Sequence, residues 1–174
     1  MVHMLDRLFP YLACIIAASL FLCSMYGSYL FMAGRRKRAT RVVISCILFN
    51  IPFFAVFHAV EYAGRREVAA AVNIVRDGKG YLSIDGIRIK EPEPYLRAFV
   101  KWFPARSHTT PIPPSILMVL DGVSVRVARD STYKDEYWVF YPKYRTTAEN
   151  DIGRIHSESL RPWFEDKEES ERRP

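Results

Sequence analysis

The sequence predicts an α+β protein in two parts, an N-terminal two-helix transmembrane hairpin followed by a small, mostly antiparallel β-sheet domain with one covering α-helix. Three observations carry this expectation. Leu8 to Ala33 and Val42 to Val60 contain no charged side chain, and the eight residues between them include Arg35, Arg36, Lys37, Arg38 and Arg41. Two Asp-Gly pairs, Asp85-Gly86 and Asp121-Gly122, each sit between short alternating apolar runs.

A hydrocarbon core ~30 Å thick takes ~20 apolar residues of helix, so the two uncharged stretches read as spans at about 8–33 and 42–60, joined by a basic turn at 34–41 within an N-terminal unit of residues 1–66. Basic residues in a short loop are retained on the cytoplasmic side. Arg35, Arg36, Lys37, Arg38 and Arg41 are therefore the topology determinants, and both chain ends are expected outside the cytoplasm, as in an integral protein of the bacterial inner membrane. The first span is not read as a cleaved signal peptide. Its apolar run is too long, almost no positive charge precedes it, and a basic cluster follows it directly. Small residues four apart in the first span, Ala13 and Ala17, Ser19 and Cys23, Ser24 and Ser28, allow close helix packing and leave room for homo-oligomers formed through the membrane helices. In the second span Pro52 is expected to kink the helix, and Asn50 to seek a hydrogen-bond partner in the neighbouring helix. With His58 near the interface, these features describe a packed hairpin better than an ion path.

Charge is distributed unevenly. Residues 1–60 hold six Lys and Arg against one acid, Asp6, while residues 61–174 hold nineteen against eighteen. The basic character thus belongs to the hairpin, where it meets the lipid bilayer, and a nucleic-acid partner is excluded. Cys14, Cys23 and Cys46 all fall within the apolar stretches, so the hydrophilic part needs no disulfide. His3, His58, His108 and His156 are scattered singly, which gives no zinc spacing, and no cofactor is expected.

After the spans, Glu61 to Ala71 is expected to continue the helix, and near Val72 the periodicity becomes alternating. That reading gives a strand at Val72–Arg76, a turn at Asp77-Gly78-Lys79-Gly80, and an extracytoplasmic α+β domain over 67–164. The Asp-Gly pairs suit two-residue turns that need positive φ at both positions. With Asp85-Gly86 as the turn, Ile84 faces Ile87 and Leu82 faces Ile89. With Asp121-Gly122, Leu120, Met118 and Ile116 face Val123, Val125 and Val127, leaving Ser124 and Arg126 on the other side. Between the hairpins, Leu96, Phe99, Val100 and Phe103 recur at helical spacing after Glu93-Pro94, which marks the covering helix. Pro104 ends it, and Pro111, Pro113 and Pro114 make an extended loop. Residues 165–174 lack apolar anchors and read as a charged disordered tail.

The densest chemistry is aromatic. Tyr137 to Tyr141 reads as a strand pairing with Val123–Arg129, its alternation placing Tyr137 and Tyr141 on one face and Trp138 and Phe140 on the other. Trp138 and Phe140 are expected under the helix. Tyr133, Tyr137, Tyr141 and Tyr144 are then the partner-binding candidates, because tyrosines with accessible hydroxyls anchor protein interfaces. If both faces are buried, the Pro111–Pro114 segment is the next candidate.

Catalytic motifs are absent: no phosphate-binding glycine loop, nucleophile elbow, HExxH helix or cysteine nucleophile outside the apolar stretches. Carboxylates do gather at Asp130, Asp135 and Glu136, and at Glu149 and Asp151, amid residues typical of solvated turns. The leading expectation is a non-enzymatic, membrane-anchored protein-binding module of the cell envelope, such as an envelope-complex subunit or an immunity protein against an envelope-acting toxin. Its rivals are an envelope hydrolase or carbohydrate-binding domain using those carboxylates, and a small oligomeric channel or lysis-type protein.

Overall fold

The computed structural model of the chain describes residues 2–103 and 109–172. It divides into two units, Met1–Val60 and Glu61–Pro174.

In the first unit, helix α1 spans Val2–Met32 and α2 spans Arg36–Arg76, the latter continuing beyond Val60 into the second unit. The chain reverses between them in one tight step: Gly34 donates its N–H to the Phe31 carbonyl at 3.1 Å and Arg35 to Leu30 at 2.9 Å, which closes the end of α1. The basic turn expected at 34–41 is therefore shorter. Arg36, Lys37, Arg38 and Arg41 belong to the opening of α2, with only Arg35 in the connection. Both helices contain stretches long and apolar enough to cross a membrane, and 11% of each apolar window is buried. The core helix of a water-soluble domain would bury far more of its apolar stripe. Here Phe21, Leu22, Leu48 and Phe49 are exposed, and the buried positions include the inward-facing Leu30, Ala39 and Cys46. Asn50, expected to find a hydrogen-bond partner in the neighbouring helix, is buried, and its Nδ2 donates instead to the Cys46 carbonyl at 2.7 Å one turn earlier in its own helix. That bond satisfies the donor without any demand on α1.

In the second unit, Val72–Arg76, expected as a strand, is the end of α2. Val68, Ala71, Val72 and Val75 are buried at i, i+3, i+4 and i+7, the helical stripe that outweighs the local alternation. The expected turn after it is the helix terminus, where Gly78 and Lys79 donate to the Val75 and Ile74 carbonyls.

Six antiparallel strands follow in the sheet order β2-β1-β3-β4-β5-β6, with β1 at Leu82–Ile84, β2 at Ile87–Ile89, β3 at Pro111–Leu120, β4 at Val123–Asp130, β5 at Glu136–Phe140 and β6 at Gly153–His156. Both Asp-Gly turns form as expected: Asp85 and Gly86 have φ of 45° and 83°, Asp121 and Gly122 of 47° and 83°. The registers agree residue for residue, with Ile84 opposite Ile87 and Leu120 opposite Val123. The aromatic strand also pairs as expected, Trp138 opposite Ala128 and Tyr137 opposite Arg129. The Pro111–Pro114 segment, expected as a loop, belongs to β3, and the register breaks between Ile112 and Ser115, where proline cannot donate to the ladder. Strand β6 takes the sixth place that Val72–Arg76 vacates.

One face of the sheet carries Leu82, Ile84, Ile116, Met118, Leu120, Val125, Val127, Tyr137, Val139 and Ile155, all 0% exposed. Several helices cover the domain where one was expected. The end of α2 lies against the sheet side, since a Cβ on Gly64 would meet Tyr141 at 3.1 Å and Ile152 at 3.2 Å. Helix α3 is brief, Glu93–Leu96, followed by a 3-10 turn over Arg97–Val100, and it buries Leu96 and Phe99. Pro104, the expected helix end, lies outside the described residues. Helix α4 is Arg145–Glu149, and α5 is Arg161–Arg172. The latter corrects the expected disordered tail: Phe164 stacks on Tyr137 with ring centroids 4.9 Å apart, and Lys167 bonds the Asp85 carboxylate and the Ser115 carbonyl, both at 2.8 Å. These anchors hold a helix whose later residues are nearly all charged.

The opposite face of the sheet buries a smaller cluster of Ala128, Trp138 and Phe140. Beside it, Gly153 at φ +144° begins β6, and a Cβ there would lie 2.9 Å from the Trp102 ring. Replacing Gly153 with Ala should therefore lower stability by about 1–3 kcal/mol from backbone strain alone, seen as an earlier midpoint in urea denaturation followed by tryptophan fluorescence.

Candidate functional site

Strand β4 ends at Asp130, 2% exposed, whose carboxylate organises the connection to β5. Its Oδ1 accepts the backbone N–H groups of Thr132 at 2.8 Å and Tyr133 at 3.0 Å, the local turn that an Asp side chain makes with the residues after it. Its Oδ2 accepts Trp138 Nε1 at 2.9 Å and Arg154 Nη1 at 3.1 Å. The Arg154 guanidinium, fully buried, stacks over the Trp138 ring at 4.1 Å and also faces Glu136 at 3.7 Å. Burial alone would raise the Asp130 carboxyl, but hydrogen bonds from the backbone of Thr132 and Tyr133 and from Trp138 outweigh it and hold the group below the ordinary carboxylate range.

The other end of the connection is fixed as well. Arg161 at the start of α5 forks onto Asp135, with Nη2 2.6 Å from each oxygen and Nε 2.9 Å from Oδ1. Between these anchors Ser131, Thr132, Tyr133 and Lys134 are exposed, Tyr133 to 41%. The Ser131 N–H donates to the Thr110 carbonyl at 2.9 Å, and the Thr110 N–H to Ser131 Oγ at 3.2 Å. Exposed Pro111 and Pro113 follow directly. The result is a rim in which a tyrosine, hydroxyls, a lysine and two prolines face solvent on backbone held at both ends.

Three of the four tyrosines expected to face a partner do not. Tyr137, Tyr141 and Tyr144 are 0%, 3% and 2% exposed, so both faces of the aromatic strand are buried. Tyr137 packs on Phe164. Tyr141 and Tyr144 donate their hydroxyls to Glu67 in α2 at 2.6 and 2.5 Å, and Lys143 Nζ joins them at 2.5 Å. The extension of α2 and the folding of α5 cover the surface that the sequence left open. Trp138 and Phe140 are buried, but with Ala128 on the face away from α5 and not in a cluster with the helix expected to cover them.

Glu67 works here as a clasp between α2 and the segment that follows β5. Burial opposes its charge, yet the bonds from Lys143, Tyr141 and Tyr144 bring its pKa down to about 2, from an ordinary 4.5. Because the folded value is the lower one, the stabilisation is complete above the unfolded pKa and is lost as pH falls from about 4.5 to about 2. Acid titration of tryptophan fluorescence should show a loss in that window, and Glu67→Gln should flatten it; an unchanged acid profile in the variant would remove the clasp.

The carboxylates do not converge on a cleft. Asp130 and Glu136 meet Arg154, Asp135 meets Arg161, and Glu149 lies 3.8 Å from Arg145. Asp151 stands apart, its carboxyl raised by burial and by the charge of Glu61. Among the described residues no group of three or more His, Cys, Asp or Glu is placed to hold a metal ion. Asp130 and Arg154 escape sequence reasoning in different degrees. An Asp closing a strand before Ser-Thr is a legible turn signal, whereas nothing marks Arg154 as buried. No protein-family model, curated protein or solved structure matches this chain.

Proposed function

We propose that the chain is a membrane-anchored, non-enzymatic protein-binding module of the cell envelope, an envelope-complex subunit or an immunity protein against a toxin acting at that membrane. In this reading α1 and the first part of α2 span the bacterial inner membrane, and the domain lies outside the cytoplasm. The lipid-like surface of both helices and the absence of any Asp or Glu between Arg7 and Glu61 support the anchoring.

One observation carries the binding role: the 131–134 connection is fixed by Asp130 on one side and Asp135 with Arg161 on the other, while its own side chains stay exposed. Backbone ordered before contact loses less entropy on binding. Tyr133 is the interface anchor, with Thr132 and Lys134 beside it in the chain and exposed Pro111 at the neighbouring start of β3.

The test is affinity purification of full-length protein from solubilised membranes, with quantitative mass spectrometry. Wild type should retain a specific protein partner. Tyr133→Ala should keep the same thermal transition and lose about 2 kcal/mol of affinity, roughly 30-fold. A partner held equally by Tyr133→Ala, Pro111→Ala and Lys134→Ala variants would move the binding surface elsewhere.

A further inference from the structure

Four consecutive cations, Arg35, Arg36, Lys37 and Arg38, sit where α1 meets α2. No Asp or Glu occurs from residue 8 to residue 60, so the acid of this unit is Asp6, near the far end of α1 and roughly 40 Å away at 1.5 Å per residue. Charge at that distance is screened over several Debye lengths. Helix α2 has no acid in its first turn, and among the described residues no carboxylate pairs with Arg35, Arg36, Lys37 or Arg38.

These side chains also shape a concavity. Gly34, Arg35, Arg36, Lys37 and Arg38, five consecutive residues at the turn, line a shallow, open cup of about 530 Å³. Arg36 belongs as well to a second hollow of about 650 Å³, where Ser28, Phe31, Met32, Ala39 and Val43 form a largely apolar groove running along the two helices. A cationic cup that shares Arg36 with an apolar groove is complementary to an amphiphile with an anionic head and a hydrocarbon tail.

We propose that the cup and groove form a binding site for a phospholipid whose headgroup carries two phosphates. Guanidinium groups fork onto phosphate oxygens while Lys37 adds a point charge. Four cations around one cup leave most of their charge unanswered by a single phosphodiester, and a second phosphate on the same headgroup answers more of it. The adjoining groove takes an acyl chain. The proposal rests on the reading of α1 and α2 as membrane-embedded.

The experiment uses purified full-length protein in detergent and in phosphatidylcholine vesicles, so that no variant has to insert in a cell. Native mass spectrometry is run with added diphosphatidylglycerol, with phosphatidylglycerol at equal total phosphate, and with inorganic pyrophosphate. Wild type should retain one diphosphatidylglycerol at least tenfold more than phosphatidylglycerol, and changing Arg35, Arg36, Lys37 and Arg38 together to Gln should abolish that preference. Ser28→Phe, which fills the groove and keeps every cation, should also reduce lipid retention with helical circular dichroism unchanged. Equal retention of both lipids, or unchanged retention in both variants, would overturn the site. Pyrophosphate binding as tight as the lipid would show a phosphate site without a lipid groove and overturn the proposal as stated. Vesicle flotation separates the two readings: protein that floats with vesicles but shows no lipid preference sinks only this proposal, whereas protein that does not float sinks the membrane anchor as well.

Discussion

Replacing Arg154 with Met should cost about 3–5 kcal/mol of domain stability, the penalty for removing one partner of a buried ion pair. Arg154 and Asp130 are 0% and 2% exposed and 3.1 Å apart, so the variant leaves a desolvated carboxylate without its cation. A domain of this size has ~5–15 kcal/mol in all, and the loss would take a large share of it. Asp130→Asn combined with Arg154→Met should cost less than the sum of the two single changes, because the double variant leaves no lone buried charge. Tryptophan fluorescence during urea denaturation of the full-length protein reads this directly, since Trp102, Trp138 and Trp163 all lie in the second unit. Strict additivity would mean that the two charges do not act as a pair.

Trp138→Ala should be comparably damaging, at about 3–5 kcal/mol. The ring is 9% exposed, lies in a cluster with Ala128 and Phe140, receives the Arg154 guanidinium on its face and donates its N–H to Asp130. Truncation therefore opens a cavity and removes one of the bonds that hold the rim. Trp138→Phe keeps most of the packing and loses that bond, so it should fall between wild type and the Ala variant. Were Trp138 an interface anchor, the Ala variant would fold normally and lose partner binding alone; a midpoint within error of wild type would contradict its place in the core.

The hairpin registers were legible because two local rules agree. Asp85-Gly86 and Asp121-Gly122 satisfy a turn that needs positive φ twice, and period-two alternation then places every neighbouring side chain. The pairing of β5 with β4 followed from an aromatic-rich run next in the chain after β4 across a short polar connection. What escaped depended on tertiary context. Val72–Ile74 alternates over just three residues, and Val72–Arg76 continues a helix whose buried stripe runs through Val68, Ala71, Val72 and Val75. Strand β6 is short, begins at a glycine and follows a turn-like Asn-Asp pair, so only its pairing with β5 identifies it. Helix α5 is charged beyond Glu165, and its stability comes from Phe164 against Tyr137 and Lys167 against Asp85, contacts far apart in sequence. The same coverage explains the candidate site: a tyrosine's alternation fixes its face, but not whether a distant helix lies over that face. Tyr133 stayed exposed because it sits in a connection, while Tyr137, Tyr141 and Tyr144 were enclosed by α5 and the end of α2.

The proposed function stands or falls with the side of the membrane on which the domain lies. Five basic residues at the α1–α2 joint, compared with Arg7 before it, favour retention of that joint in the cytoplasm, while Arg65, Arg66, Arg76 and Lys79 after the second apolar stretch reduce the contrast. The decisive measurement is a pair of fusions after Pro174 in a bacterial host, one to alkaline phosphatase, active only outside the cytoplasm, and one to a reporter active only inside it. High phosphatase activity with a silent cytoplasmic reporter is the expected result. An active cytoplasmic reporter with silent phosphatase would contradict it and move the rim around Tyr133, with any partner it binds, to the cytoplasm.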